Sequence, residues 1–243
     1  MHGEDKRTLQ QEQQAGTSLI ELMCAMAAGL FVLGATFYAL SYFQHLLSGQ
    51  QREMAQQQDL RLGLEVLEQE LRLAEPGSLS MAAADSVEFS ANLQGRITKV
   101  TAETGVGQTI LPVEDGRGWD ERKTIVVCWA ERCETMILAR AGQRQQLTVS
   151  QPVTGVIPAG AMISLQNRIR YYSRRNDQGV LRFLRQVDGG SSVLVGDIRD
   201  ARFIYHDENG QAATQPEMVR MIVVEVRMAE QEIPSLRAIS LRT

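Results

Sequence analysis

Between residues 22 and 47 the chain carries no Asp, Glu, Lys or Arg, and the run is dominated by Leu, Met, Ala, Phe and Val. A helix over residues 17–43 would rise about 40 Å at about 1.5 Å per residue, while a bilayer hydrocarbon core is about 30 Å thick. The segment is long enough to span a membrane with some tilt. Apolar residues on every side also exclude the one-faced pattern of a helix lying on a globular surface. Whatever else the chain builds must be attached to a membrane-length helix.

One carboxylate, Glu21, stands near the start of this segment, five residues after Gly16. An ionised carboxylate at the centre of a spanning helix costs about 2.5–3.5 kcal/mol on insertion scales, so its presence calls for a partner or a function. Cleavage of the chain after Gly16 would supply a partner. The new α-amino group on Thr17, with a reference pKa of about 8, would be largely cationic and able to pair with Glu21 of a neighbouring copy. A carboxylate reaching the interface from near the end of an ordinary anchor satisfies the same spacing.

The run Gly16-Thr17-Ser18-Leu19-Ile20-Glu21-Leu22, followed by the apolar stretch, resembles the class III signal of type IV prepilins and pseudopilins. That resemblance implies cleavage after Gly16 by a prepilin peptidase/methyltransferase, N-methylation of Thr17, and use of Glu21 in assembly. A glycine at the cleavage position is physically reasonable, since a cleft must accept backbone there without a side chain. Thr17 departs from the more common phenylalanine. The apolar run also lacks the proline that many major pilins carry, so no kink is expected. The partners implied are other minor and major pilins or pseudopilins, an inner-membrane assembly platform and the lipid bilayer.

Residues 1–16 are polar and read as a leader to be set aside from the fold. Lys6 and Arg7 stand against Glu4, Asp5 and Glu12. A secretory signal would have a shorter apolar core with a small-residue cleavage site after it. Lys6 and Arg7 favour a cytoplasmic leader, which puts everything beyond the helix on the far side of the inner membrane, in the periplasm. The 243 residues, 22% charged and 44% hydrophobic, suit one folded domain plus an anchor. A net charge of −4 gives no general reason to bind nucleic acid.

Past residue 47 the helix is expected to continue over residues 48–75 with a different character. Leu60, Leu64, Leu67 and Leu71 fall on one face, with Arg61, Glu65, Glu68, Gln69 and Arg72 elsewhere. Glu75-Pro76-Gly77 ends it. This stretch also resembles the end of the long helix in W-type minor pilins and J-type minor pseudopilins. Residues 76–243 then change to strand periodicity and are expected to form a β-rich periplasmic head. Strands are expected near residues 86–90, 96–101, 123–130, 134–140, 145–150, 162–172, 180–186, 192–195, 202–205, 218–228 and 236–241. Turn signals at 188–190, 209–210 and 176–179 separate several of them. The nearly continuous apolar run 218–228 suits a central strand under the helix stripe. Short connections favour antiparallel pairing. The expected fold is therefore α+β: a long N-terminal helix, half membrane and half amphipathic, packed on a mostly antiparallel sheet.

Three features of the head are candidate sites. Cys128 and Cys133 flank the tip of an expected hairpin. They can close as a disulfide in an oxidising compartment or remain two thiols, and no second Cys/His pair completes a zinc site. Arg168, Arg170, Tyr172, Arg174, Arg175, Arg182 and Arg185 form a basic hairpin, with Arg168, Arg170 and Tyr172 alternating onto one strand face. Such a hairpin could dock an acidic neighbouring subunit or contact DNA phosphates. A solvated face with arginine stems packed across strands has the same pattern. Acidic turns at Glu114-Asp115, Asp120-Glu121 and Asp207-Glu208-Asn209 cluster oxygens that could hold calcium, but they lack an EF-hand pattern and Asx-rich turns are common without metal, so no metal or other cofactor is expected.

Signals of catalysis are poor. The histidines are His2, His45 and His206, and none sits in a nucleophile-base arrangement. Gly105-Val106-Gly107 lacks the remaining glycine and the strand-to-helix setting of a dinucleotide loop, and there is no phosphate-binding P-loop. The expectation is a non-enzymatic minor pilin or pseudopilin. It would help initiate or cap a type IV pilus, a type II secretion pseudopilus or a DNA-uptake pilus, ending near the tip of the fibre. The alternative is a single-pass anchored periplasmic binding module or enzyme that never enters a fibre.

Overall fold

In a computed structural model of the chain, residues 19–74, 77–229 and 233–241 are described. Gly16 and Thr17, together with the rest of the expected leader, lie outside the described residues, as do Glu75 and Pro76. Helix α1 runs Leu19–Leu71. The molecule divides into two compact units, one up to Ala55 and one from Gln56 onward.

In the first unit every described residue is exposed. Phe31 and Tyr38 are 80% and 78% exposed, respectively. This segment is long and apolar enough to cross a membrane. Two of its hydroxyls bond to the helix itself: the Thr36 hydroxyl donates to the Val32 carbonyl at 2.8 Å, and Ser48 does the same to His45 at 2.8 Å. Bonds of this kind lower the cost of a hydroxyl in lipid, where water is absent.

The second unit begins with the amphipathic part of α1. Leu60, Gly63, Leu64, Leu67, Glu70 and Leu71 are its buried face. The helix stops at Leu71, a few residues before the expected end at 75, and its final carbonyls accept from Arg72, Leu73 and Ala74 in a tightened turn.

The strands are β1 (Leu79–Ala83), β2 (Ser86–Ala91), β3 (Ile97–Lys99), β4 (Ile110–Pro112), β5 (Thr124–Trp129), β6 (Arg132–Ile137), β7 (Gln146–Thr148), β8 (Met162–Arg175), β9 (Leu181–Val187), β10 (Gly190–His206), β11 (Met221–Met228) and β12 (Ser235–Ser240). The main sheet has the order β1-β2-β8-β9-β10-β11-β12, and its pairings are antiparallel. The α+β class expected from sequence is therefore the class found: one long N-terminal helix with a mostly antiparallel sheet.

The helix stripe and the inner face of this sheet share one core. A file of aromatic rings crosses that core from β2 to β10. Phe89, Tyr171, Phe183, Phe203 and Tyr205 follow one another at centroid separations of 6.3, 6.0, 6.0 and 6.4 Å. Gly63 lets α1 approach the sheet closely, because a Cβ there would lie 2.8 Å from Val195 Cγ2 and 3.1 Å from Leu194 Cγ.

A second core lies between β2 and β9 in the chain. Residues 162–166 of β8 leave the main sheet and pair with β3 and β5. β5 pairs with β6, and β4 with β7. Bridges Val100–Val113 and Leu138–Val149 join these pairs, so that β3, β8, β5, β6, β7 and β4 follow one another around a closed ring. Backbone bonds on both sides of the bridges, such as Thr101 N–H to Pro112 O at 2.9 Å and Ser150 N–H to Ile137 O at 2.8 Å, seal the junctions. Leu111, Ile125, Val127, Leu138, Leu147, Ile163 and Leu165 fill the interior. Closure leaves the short strands without an exposed edge along the ring.

Several sequence expectations change in detail. The strands expected at 192–195 and 202–205 are one strand, β10, which passes through irregular register near Asp197, a residue with φ of 52°. β11 starts at Met221 because Pro216–Met218 form a 3₁₀ turn. β11 alternates buried and half-buried positions and is not buried on both faces. β1 and β4 were not expected.

Candidate functional site

Glu21 is in the first turn of α1, where a carboxylate is favoured by the helix dipole, and its side chain is on the exposed apolar segment. Its expected counterparts in processing, Gly16 and Thr17, lie outside the described residues.

The basic hairpin is β8–β9, and the structure divides its arginines between two faces. Arg168, Arg170 and Tyr172 alternate with the buried Ile169 and Tyr171, as the strand period requires. Arg174 and Arg182 are cross-strand partners on that same outer face. Arg168 Nε donates to Glu88 at 2.7 Å, and the Arg170 guanidinium stands 5.1 Å from the centre of the Tyr172 ring. Burial alone would raise the Glu88 carboxyl. Hydrogen bonds from Arg168 and Ser80, with the charges of Arg168 and Arg170, outweigh it and hold Glu88 below the ordinary carboxylate range. Part of the basic charge is thus already spent within the sheet. Arg175 is turned back on its own hairpin, donating to the Gly179 carbonyl at 2.8 Å.

Arg185 belongs to a different group. It is the register partner of Tyr171, on the face toward the helix stripe. Its Nε donates to both carboxylate oxygens of Glu70, at 3.0 and 2.9 Å, its Nη2 also bonds that carboxylate, and the Tyr171 hydroxyl donates to Glu70 as well. Burial, followed by the hydrogen bond to Glu70, pushes the Tyr171 phenol far above its usual range, so it remains a donor. This trio fastens the last turns of α1 to β8 and β9, so Arg185 is a structural group and not part of an outer basic surface. Sequence reasoning passed over Glu70. Its signal was its position, seven residues after Gly63 and three after Leu67, inside the apolar stripe.

Asp188, in the β9–β10 turn with φ of 49°, gathers Lys123 at 2.6 Å, the Asn167 amide at 2.8 Å and the Arg168 backbone N–H at 2.9 Å. Burial would raise its carboxyl, but Lys123 first, then Asn167 and the Arg168 N–H, hold it low. It anchors the turn to the junction where β8 passes from one sheet to the other.

Cys128 and Cys133 are direct register partners at the β5–β6 tip and are joined by a disulfide. In two of the acidic turns a carboxylate is held by its own neighbours. Asp115 receives Arg117 at 2.7 Å, and Asp207 accepts the N–H groups of Asn209 and Gln211 at 2.9 and 2.8 Å. Among the described residues no three His, Cys, Asp or Glu side chains are placed to share a metal ion.

Comparison with known proteins gives no match: no family model, no curated protein and no solved structure is similar to this chain.

Proposed function

We propose that the chain is a minor pilin or pseudopilin, cleaved after Gly16, N-methylated at Thr17 and assembled into a type IV pilus or type II secretion pseudopilus, which it helps to initiate or cap. The observation that carries this reading is the change of character along α1. Its N-terminal part is exposed, apolar and marked by Glu21, whereas residues 60–71 present a buried leucine stripe to a folded head. An element of this kind serves lipid or a fibre core at one end and a globular domain at the other.

In this account the prepilin rests in the inner membrane with its head in the periplasm, and Glu21 pairs with the methylated amine of a neighbouring subunit once the leader is gone. That pairing offsets the cost of a carboxylate among apolar helices. No step requires catalysis by the head. Replacing Glu21 by alanine tests the assembly role. The variant should be cleaved as the parent is and remain in the inner-membrane fraction, yet be absent from sheared fibres. Recovery of Glu21→Ala in fibres at the parent level would contradict it.

A further inference from the structure

β12 is the last strand of the main sheet, and among the described residues β11 is its one neighbour. Just beyond it the Leu241 N–H donates to the Arg220 carbonyl at 2.8 Å, which sets the phase of the ladder: Ile239, Arg237 and Ser235 are the residues bonded to β11. The N–H and C=O groups of Leu236, Ala238 and Ser240 therefore point out of the sheet, and all three residues are exposed. Such an edge is a template for another strand. The opposite edge is treated differently. There β1 is bulged between Leu79 and Met81 and packs beside the 3₁₀ turn Pro216–Met218, whereas β12 pairs with β11 in unbroken register and contains neither proline nor lysine.

The flanks of this edge limit what can pair with it. On the outer side of the sheet, opposite Glu225 and Val223, Leu236 and Ala238 offer exposed apolar surface. On the helix side a groove of about 450 Å³ runs between α1 and β12, lined by Arg61 and Arg237 and, among the described residues, by no carboxylate. Arg237 reaches Glu68 only at 3.9 Å, and Glu68 is already bonded by Arg72 at 2.8 Å. No ion pair engages Arg61 among the described residues. A strand added here sets alternate side chains against two arginines on one side and against leucine and alanine on the other. A second copy of β12 would return Arg237 to a groove that already holds two arginines, so like charges oppose self-pairing. We propose that the β12 edge is the docking site for an extended segment of a partner protein. The segment adds antiparallel, as the other strands of the main sheet do, with acidic side chains toward α1 and apolar ones on the outer face. The proposal does not depend on cleavage at Gly16 or on entry into a fibre.

The test uses the full chain in lipid nanodiscs and a capped heptapeptide in which valine and glutamate alternate, with valine at both ends. The peptide should bind, should protect the Leu236, Ala238 and Ser240 amides from hydrogen exchange, and should bind more weakly as salt rises. In antiparallel register its valine amides face β12 and its glutamate amides face away. N-methylation of the valines should therefore abolish binding, and N-methylation of the glutamates should leave it. Lysine in place of glutamate should weaken binding at least about tenfold, and Arg61→Glu in the chain should shift the preference toward the lysine peptide. Ala238→Pro, which removes an outward N–H without touching the ladder to β11, should fold and lose the peptide. No binding at about 1 mM peptide, or equal effects of the two N-methylations, would overturn the assignment. So would dimerisation of the parent chain that Ala238→Pro abolishes, which would give the edge to a second copy.

Discussion

Arg185 on β9 grips both carboxylate oxygens of Glu70 on α1, its Nε lying 3.0 and 2.9 Å from them, and Tyr171 on β8 donates to the same group. Glu70 and Arg185 side chains are only 11% and 26% exposed, so water does little to relieve either if its partner is lost. Glu70→Ala should therefore lower the unfolding free energy of the head by about 3 kcal/mol, because it strands a guanidinium and a phenol. Replacing Glu70 and Arg185 together by leucine should cost clearly less than the single change. Urea titrations followed by the fluorescence of buried Trp119 would show both effects.

The Glu88–Arg168 contact gives the head an acid sensitivity. The Glu88 carboxyl is held below its ordinary value of 4.5, which makes its contribution to stability complete above that value and lost as the pH falls through the lower, folded-state value. Arg168→Gln should therefore be less stable than the parent at neutral pH, and the gap should close progressively below about pH 4.5. Thermal unfolding across a pH series would reveal it; a constant gap down to strong acid would contradict the assignment.

Gly63 should resist enlargement. A Cβ at this site meets Val195 Cγ2 at 2.8 Å, and Val195 is itself buried in the core. Gly63→Leu should cost about 2 kcal/mol through overpacking, which outweighs the gain of up to about 1 kcal/mol in helix propensity. Gly63→Ala, with the same backbone gain and a smaller clash, should fall well short of that loss. Chemical unfolding midpoints of the two variants would rank them.

The Cys128–Cys133 bridge closes a short loop at the β5–β6 tip. Changing both cysteines to serine should cost about 2 kcal/mol, the loop-entropy value for so small a ring. In denaturant without reductant, Cys24 should be the one thiol of the three cysteines that reacts with a maleimide. Reaction of three thiols before reduction would show that the bridge does not form.

Local pattern revealed much of the architecture. The leucine stripe of α1, the alternation of Ile169 and Tyr171 with Arg168, Arg170 and Tyr172, and the antiparallel class all follow from periodicity. What periodicity does not carry is pairing between distant segments. The ring closes through single bridges such as Val100–Val113 and Leu138–Val149, and nothing in the neighbouring residues announces them. β1, built from Leu, Ser, Met and Ala, lacks a β-branched signature, and β4 ends in a proline that argues against a strand. Glu70 was hidden for a related reason: a carboxylate reads as solvent-facing until Arg185, far away in sequence, is brought opposite it. The open edge of β12 likewise exists only once the sheet order leaves it β11 as its one neighbour among the described residues.

The central claim rests on the first residues of the mature chain. Intact-mass measurement after co-expression with a prepilin peptidase should place the mature terminus at Thr17, carrying one added methyl group, and Gly16→Asp should abolish that product. A chain that keeps residues 1–16 in the presence of active peptidase would contradict the account.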